Sequence, residues 1–267
     1  MSGTTDGALG GLVIVTADNA EHRYVANRIA EHHPVRAILI CDPAPARSWY
    51  RLLRSAPTRF LDRALRRAFL RLSGDGRKRN SVLHEVLGPA SVAFPDVDIR
   101  YVGQARERRL VDTVAALAPD VLAVYGTGLI PDAVLALSGK ALNMHTGISP
   151  RYRGTACTFW PVYNEEPEWI GATVHECTAK VDGGQIFAVR RAALRRGDSL
   201  HHVFARAVVA GAEAYADVVG AALAGKLVGK PQDLRQGHEY RGSSLGLWSE
   251  LLARRRLRRM RTQWPEA

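Results

Sequence analysis

The chain has 267 residues, enough for one large α/β domain with or without an appendage and too few for two full-sized domains. A composition 46% hydrophobic and 24% charged excludes wholesale disorder and collagen-like repeats. The formal net charge of +11, from 37 Lys and Arg against 26 Asp and Glu, points to an acidic partner such as nucleic acid, a nucleotide or anionic lipid, or else to a coding bias, since only five of the cations are lysines.

The charge is unevenly placed. Between Arg47 and Arg79 there are eleven basic residues against Asp62 and Asp75, and between Arg254 and Arg261 six arginines and no acid, while the rest carries 20 basic and 24 acidic residues. The core of the chain is therefore mildly acidic. Cys41, Cys157 and Cys177 are odd in number and widely spaced, which reads as buried reduced thiols and not as a zinc or redox motif. The first apolar run, LGGLVIV, lacks a basic leader, and no window approaches about 18 uncharged apolar residues, so the expectation is a cytoplasmic protein without signal peptide or membrane span.

In chain order, Gly11 to Ala17 reads as a buried strand, Ala20 to His33 as a helix and Val35 to Cys41 as a second strand, a βαβ unit. Arg47 to Leu87 has leucines and aromatics at helical spacing (Leu52, Leu53, Phe60, Leu61, Leu65, Phe69, Leu70), broken by the turn at Ser73 to Gly76, and reads as a helical insertion with an arginine face. Strands follow at Val97 to Val102, Asp120 to Gly126 and Ala141 to His145, alternating with helices at Arg106 to Leu117 and Asp132 to Leu137. Then come a helix at Ala156 to Tyr163, strands at Gly171 to Cys177 and Gln185 to Leu194 joined through VDGG, and a long helix at Ser199 to Leu223. Alternating strands and helices predict a mostly parallel sheet covered on both faces. From Lys230 the text turns polar and ends in a basic amphipathic helix, Leu245 to Met260. The reading is a catalytic domain over 1–228, with the basic insertion at about 45–88, and an extension over 229–267.

The first strand–helix turn, TADNAEH, has no glycine, and GTG at Gly126 to Gly128 is too short for a dinucleotide fingerprint, which disfavours a nicotinamide or flavin enzyme. Chemistry concentrates after Asn143. Asn143 and His145 are two apart on a strand and share a face at its carboxyl end. An amide donor beside an imidazole suits acyl transfer, where a carbonyl oxygen becomes an oxyanion and an amine loses a proton. Asp182, in the VDGG turn, is the best candidate for a third, carboxylate partner. Taken singly, a histidine near a strand end is usually structural and Asp before Gly is usually a turn residue.

Together, Asn143-x-His145, Pro150-x-x-Arg153-Gly154, Thr173 to Glu176 and Val181-Asp182-Gly183-Gly184-x-Ile186 resemble the folate-dependent formyltransferase family, over roughly Leu12 to Leu223 and most closely from Asp120 to Ile186. The resemblance implies a Rossmann-like α/β fold with a helical insertion and a C-terminal extension, and transfer of a formyl group from 10-formyltetrahydrofolate to a primary amine without a metal. It implies that Asn143 bonds the formyl oxygen, that His145 stabilises the oxyanion and relays protons, and that Asp182 orients His145 and helps deprotonate the amine. It also implies that Thr127, Gly128, Leu129 and Ile130, with Ala179, Lys180 and Val181, grip the pterin largely through backbone. Tyr152, Arg153 and Gly154 lie on the substrate side, where Arg153 reads equally as a contact to an anionic group and as a brace for its loop. His175 fits the pattern but reads first as structural, and Trp160, Tyr163 and Trp169 as packing. The chain departs from many members in having Thr146-Gly147 where they have proline after the histidine, which puts the amine-side pocket in doubt.

Three acceptors compete. A glycinamide ribonucleotide enzyme would be expected to carry a glycine-rich phosphate loop in the first turn, and a methionyl-tRNA enzyme a further domain after the catalytic one, longer than the roughly 40 residues remaining here. The favoured acceptor is the amino sugar of a nucleotide-linked sugar, whose diphosphate suits arginines and whose base suits Tyr240 or Trp248. Another amine, on an antibiotic, siderophore or lipid precursor, stays open. So does a non-catalytic protein binding a membrane or partner through Leu245 to Met260. Nucleic acid is not expected, and a homodimer stays open.

Overall fold

The computed structural model describes residues 11–42 and 56–266. The polar lead and the first part of the basic insertion, from Arg47 through Leu52 and Leu53, lie outside the described residues. The strands are β1 (Leu12–Thr16), β2 (Val35–Asp42), β3 (Asp98–Gln104), β4 (Val121–Tyr125), β5 (Lys140–His145), β6 (Tyr152–Gly154), β7 (Gly171–Glu176), β8 (Ile186–Arg191) and β9 (His238–Tyr240). Seven form the central sheet in the order β3-β2-β1-β4-β5-β7-β8, parallel as far as β5 and antiparallel at β5–β7 and β7–β8.

The helices are α1 (Ala20–Ala30), α2 (Pro57–Leu72), α3 (Asp75–Leu87), α4 (Arg108–Leu117), α5 (Asp132–Leu135), α6 (Phe159–Asn164), α7 (Leu200–Leu223) and α8 (Leu247–Met260). Alternation along β1 sorts them onto two faces. Leu12 and Ile14 pack with Val25 and Ile29 of α1, Leu83 and Leu87 of α3 and the apolar side of α7. Val13 and Val15 pack on the other face with Leu110, Val114 and Leu117 of α4 and Val134 of α5. This is the expected three-layer α/β arrangement, and the order reversal between β1 and β4 puts a crevice at the carboxyl ends of the parallel strands.

Two details place the site strand. α7 starts at a capping box, in which the Ser199 hydroxyl accepts from the His202 N–H and the His202 side chain accepts from the Ser199 N–H. It then crosses behind β5, where the Tyr215 hydroxyl lies 3.0 Å from the Val124 carbonyl and 2.9 Å from that of Leu142. A side chain at Gly211 would meet Met144 Sδ at 2.8 Å and the Ala172 methyl at 2.7 Å, so glycine is what lets α7 seat on β5 and β7.

The residues after α7 return to the domain. β9 pairs in parallel with β6, and α8 buries Ala253, Leu257 and Met260 against Val162 and Ile170. The sequence marks the extension by its change in composition and by the amphipathic helix, but not by where either packs. In the fold it forms one wall of the polar cluster at the end of β5.

Candidate active site

β5 delivers Asn143 and His145 to the sheet's carboxyl edge, and the antiparallel register of β7 sets His175 opposite Asn143 and Thr173 opposite His145. The loop between β7 and β8 then folds back so that Asp182, at φ +46°, reaches the same place. The residues that the sequence marks for acyl transfer thus come together, although Asp182 is 39 residues along the chain from Asn143 and 37 from His145.

Asp182 is the hub. Its Oδ2 accepts the Gly154 N–H at 2.7 Å and lies 3.4 Å from His145 Nδ1, while its Oδ1 lies 3.4 Å from His175 Nε2. Burial by itself would raise its pKa, but His145, His175 and the Gly154 N–H outweigh burial and hold the carboxyl well below the usual carboxylate range. Asp182 is therefore ionised at neutral pH.

His145 is enclosed. One ring nitrogen, Nε2, is 3.1 Å from the Tyr152 carbonyl and the other faces Asp182, so both nitrogens look at acceptors. Burial lowers its pKa most strongly, His175 and Arg153 add to that, and Asp182 and the Tyr152 carbonyl pull the other way, with a net lowering. The ring is neutral at rest, yet its surroundings are those that favour it once it takes a proton.

His175 makes the structural hydrogen bond expected of it, with Nδ1 2.8 Å from the Glu176 carbonyl. Its Nε2 lies 3.1 Å from Asn143 Nδ2, however, so it also belongs to the polar cluster. At most one amide N–H of Asn143 is used in this way, so the other is left to donate elsewhere.

Two residues outside the predicted catalytic set hold the cluster in shape. Thr173, fully buried, accepts the Ser149 N–H at 3.0 Å and donates to the Gly147 carbonyl at 2.8 Å, fixing the loop that leaves His145. Gln232 donates through Nε2 to the Asp182 carbonyl at 2.8 Å and to that of Gly184, and so pins the turn from the extension. The composition of the tail gives no signal for Gln232, because its partners are backbone carbonyls 48 and 50 residues away. In the Thr146-Gly147 pair, Thr146 stands where many members have proline, and Gly147 seats the histidine. A Cβ there would lie 2.4 Å from His145 Nε2 and 2.4 Å from Cys157 Cβ, so the chain uses the missing side chain to seat the ring.

Arg153 is buried and donates to the Val181 carbonyl at 3.3 Å, which ties β6 to the Asp182 loop, and its Nε has no partner. The brace is thus present, and the spare donor leaves the anion reading open. Tyr152 points away from His145, with its hydroxyl donating to Glu166 at 2.7 Å. Tyr240 is stacked with both Tyr152 and Trp160, at ring-centre distances of 5.5 and 4.7 Å, so its ring is already engaged. Trp160 is buried, as expected, with its indole N–H on the Thr155 carbonyl.

Beneath the Asp182 loop lies a cavity of about 310 Å³, lined by Asp132, Leu135, Ala141, Glu176, Cys177 and Ala179 among others. Ile130 and Val134 are buried in the apolar cluster that also contains Ala141, with Leu135 and Cys177 packed against it. Of the residues expected to grip a pterin, Ala179 lines this cavity and Ile130 belongs to that cluster, whereas Gly128, Leu129 and Lys180 are exposed. Burial and Asp182 push the Cys177 thiol up to about 12, burial chiefly raises Cys41 to about 11, and Cys157 is also raised, so all three are unreactive thiols.

A family model described as formyl transferase matches residues 13–219. Among solved structures, the chain is similar to a sugar N-formyltransferase from Shewanella sp., with a TM-score of 0.59, 12% identity, and coverage of 94% of this chain and 88% of that one. It is similar to the N-formyltransferase from Helicobacter canadensis, solved with folinic acid and dTDP-3-aminofucose, with a TM-score of 0.59 at 12% identity over 97% of this chain and 84% of that one. Glycinamide ribonucleotide transformylase 1 from Symbiobacterium toebii gives a TM-score of 0.54 at 17% identity, covering 87% of this chain and 99% of that one. At these identities the likeness is one of fold. The family match spans most of the chain and includes Asn143, His145 and Asp182, and on that ground the protein belongs to the formyl transferase family.

Proposed function

We propose that the protein transfers a formyl group from 10-formyltetrahydrofolate to the primary amine of a nucleotide-linked amino sugar. The observation that carries the reaction class is the contact of one ionised carboxylate, Asp182, with two histidines at the carboxyl end of β5, beside an amide with an N–H to spare.

The cavity beneath the Asp182 loop fits a flat, partly apolar ring, since its walls combine Leu135, Ala141 and Ala179 with the polar groups of Asp132, Thr178 and Glu176. When bound there, the folate supplies an activated formyl group. The residues of the chain do the rest. Asn143 aims its free N–H at the carbonyl oxygen on which negative charge develops, a role worth about 100- to 1000-fold in comparable sites. Asp182, held ionised, attracts and orients the amine but is too weak a base to keep its proton. His145 is the better base: the proton it accepts from the amine by way of Asp182 is stabilised by Asp182 on one side and the Tyr152 carbonyl on the other, and goes to the donor nitrogen as its bond to the formyl carbon breaks. With both nitrogens so placed, His145 acts on the oxyanion by its charge, and Asn143 is the direct donor.

Two features support the acceptor. Where a phosphate loop would stand, the first strand–helix turn has no glycine, and its Asp18 and buried Glu21 already occupy Arg23 and Arg79, the cations that a phosphate would need. The likeness to the two sugar-modifying enzymes extends over 94% and 97% of the chain, well past the family match at residue 219 and into the extension that supplies Gln232. Incubating the purified protein with 10-formyltetrahydrofolate and a panel of dTDP-, UDP- and GDP-linked amino sugars, glycinamide ribonucleotide and methionyl-tRNA tests the reading. Tetrahydrofolate released only with an amino sugar supports it, and turnover confined to either other acceptor refutes the sugar assignment while keeping the chemistry.

A further inference from the structure

The basic helix of the tail, expected to be amphipathic, is docked on the domain. Its apolar side is buried, and four of the six tail arginines are taken: Arg254 pairs with Glu250 and Asp75, Arg256 and Arg259 with Glu165, and Arg261 donates to the carbonyls of Gly197 and Asp198. Trp248, 80% exposed, and Leu251 remain on the outer side of α8 with Arg255 and Arg258, neither of which makes an ion pair among the described residues.

α2 lies alongside in parallel. Asp62 accepts the Leu247 N–H at 2.8 Å, Arg66 reaches Glu250 at 3.0 Å, and Arg254 lies over the Phe69 ring. These pairs mark the seam. On α2, Leu61, Leu65 and Leu72 fall together about 90° to one side of it, and they are 58%, 47% and 90% exposed. On α8, Trp248, Leu251, Arg255 and Arg258 fall about 100° from the seam in the opposite rotational sense. For parallel helices, opposite rotations lead to the same outer surface. The chain therefore presents one two-helix face on which Leu61, Leu65 and Trp248 lie toward the start of the helices and Leu72, Arg255 and Arg258 toward their ends, bordered by the exposed Arg71.

We propose that this face docks on an anionic lipid bilayer. Leu61, Leu65, Leu72 and Trp248 supply the apolar side chains that settle at the boundary between headgroups and acyl chains, and Arg255, Arg258 and Arg71 reach lipid phosphates while their stems stay on apolar ground. Charge complementarity selects this occupant. A second copy related by two-fold symmetry would set the arginines either against the same arginines or against leucines, and would give them no anionic partner in either case. A nucleic acid would leave the leucines unpartnered.

The test uses the full chain and large vesicles of phosphatidylcholine alone or with a third of the lipid replaced by phosphatidylglycerol, read by co-sedimentation. The protein should pellet with the anionic vesicles only and be released at about 0.5 M salt. The Leu61→Asp/Leu65→Asp variant should not pellet, and Arg255→Gln/Arg258→Gln should bind about 30-fold more weakly. Both variants should melt within a few degrees of the parent, and the arginine pair keeps the test valid if the leucine variant unfolds. Absence of binding to anionic vesicles, undiminished binding by either variant, or a dimer that the leucine substitutions dissociate would overturn the proposal.

Discussion

Asp182→Asn removes one charge and almost no volume, so its effect can be worked from distances. The carboxylate lies 3.4 Å from His145 Nδ1. At an effective dielectric of about 20, a full positive charge at that separation interacts with it by roughly 5 kcal/mol. If His145 carries half a proton in the transition state, roughly 2.5 kcal/mol is lost on neutralising Asp182, and if it carries the whole proton the loss approaches the full value. At 1.36 kcal/mol per tenfold, the corresponding fall in kcat lies between about 60- and 4000-fold, which overlaps most of the range of about 100- to 10000-fold usual for general acid–base groups. The amide oxygen can still accept the Gly154 N–H, so the loop should stay in place and folate affinity should change by less than about threefold. Single-turnover formyl transfer together with fluorescence titration of folate checks both parts. A variant with the parental kcat, or one whose defect lies wholly in folate binding, would refute the role of Asp182 as the counter-charge to His145.

Other substitutions probe the supports. Gln232→Ala frees the Asp182 carbonyl from its side-chain donor and should lower kcat about tenfold, with Gln232→Asn restoring little because it is one methylene short; steady-state kinetics of the pair checks this. Gly147→Ala places a methyl where His145 Nε2 and Cys157 stand, and should cost about 1 to 3 kcal/mol of stability and most of the activity, measured by urea unfolding and turnover. His22, His145 and His201 all have pKa values lowered, chiefly by burial, so the unfolded chain binds more protons than the folded one between their folded values and 6.5. Stability is therefore undiminished above that value and falls as pH drops below it, by up to about 1.4 kcal/mol per histidine per pH unit, which pH-dependent melting will show. The acid limb of kcat/KM should likewise lie below pH 6.5, since a lowered pKa keeps His145 neutral further into acid.

Much of the sheet was legible because buried parallel strands are written as continuous apolar runs. Leu12–Thr16, Val121–Tyr125 and Lys140–His145 all fall within a residue or so of the runs that announce them. Asn143, His145 and Asp182 were legible as residue types at a strand end and in a turn. What the sequence could not display was the register that faces Asn143 with His175, because a cross-strand pair 32 residues apart leaves no periodic trace. The three-residue strands Tyr152–Gly154 and His238–Tyr240 are too short to show alternation, and they exist only because each satisfies the other's backbone. The amphipathic pattern of the tail was real, but its apolar side had a partner within the chain, and the exposed stripe belongs to α2 instead.

The central claim is that His145 and Asp182 work as one proton-holding unit beside Asn143. It is tested most directly by a double-mutant cycle on single-turnover formyl transfer, comparing His145→Gln, Asp182→Asn and the pair with the parent. The account predicts strong non-additivity, with the double variant about as slow as the slower single one, because removing either member already abolishes the unit. Losses that multiply in the double variant would show two groups acting independently and would contradict it.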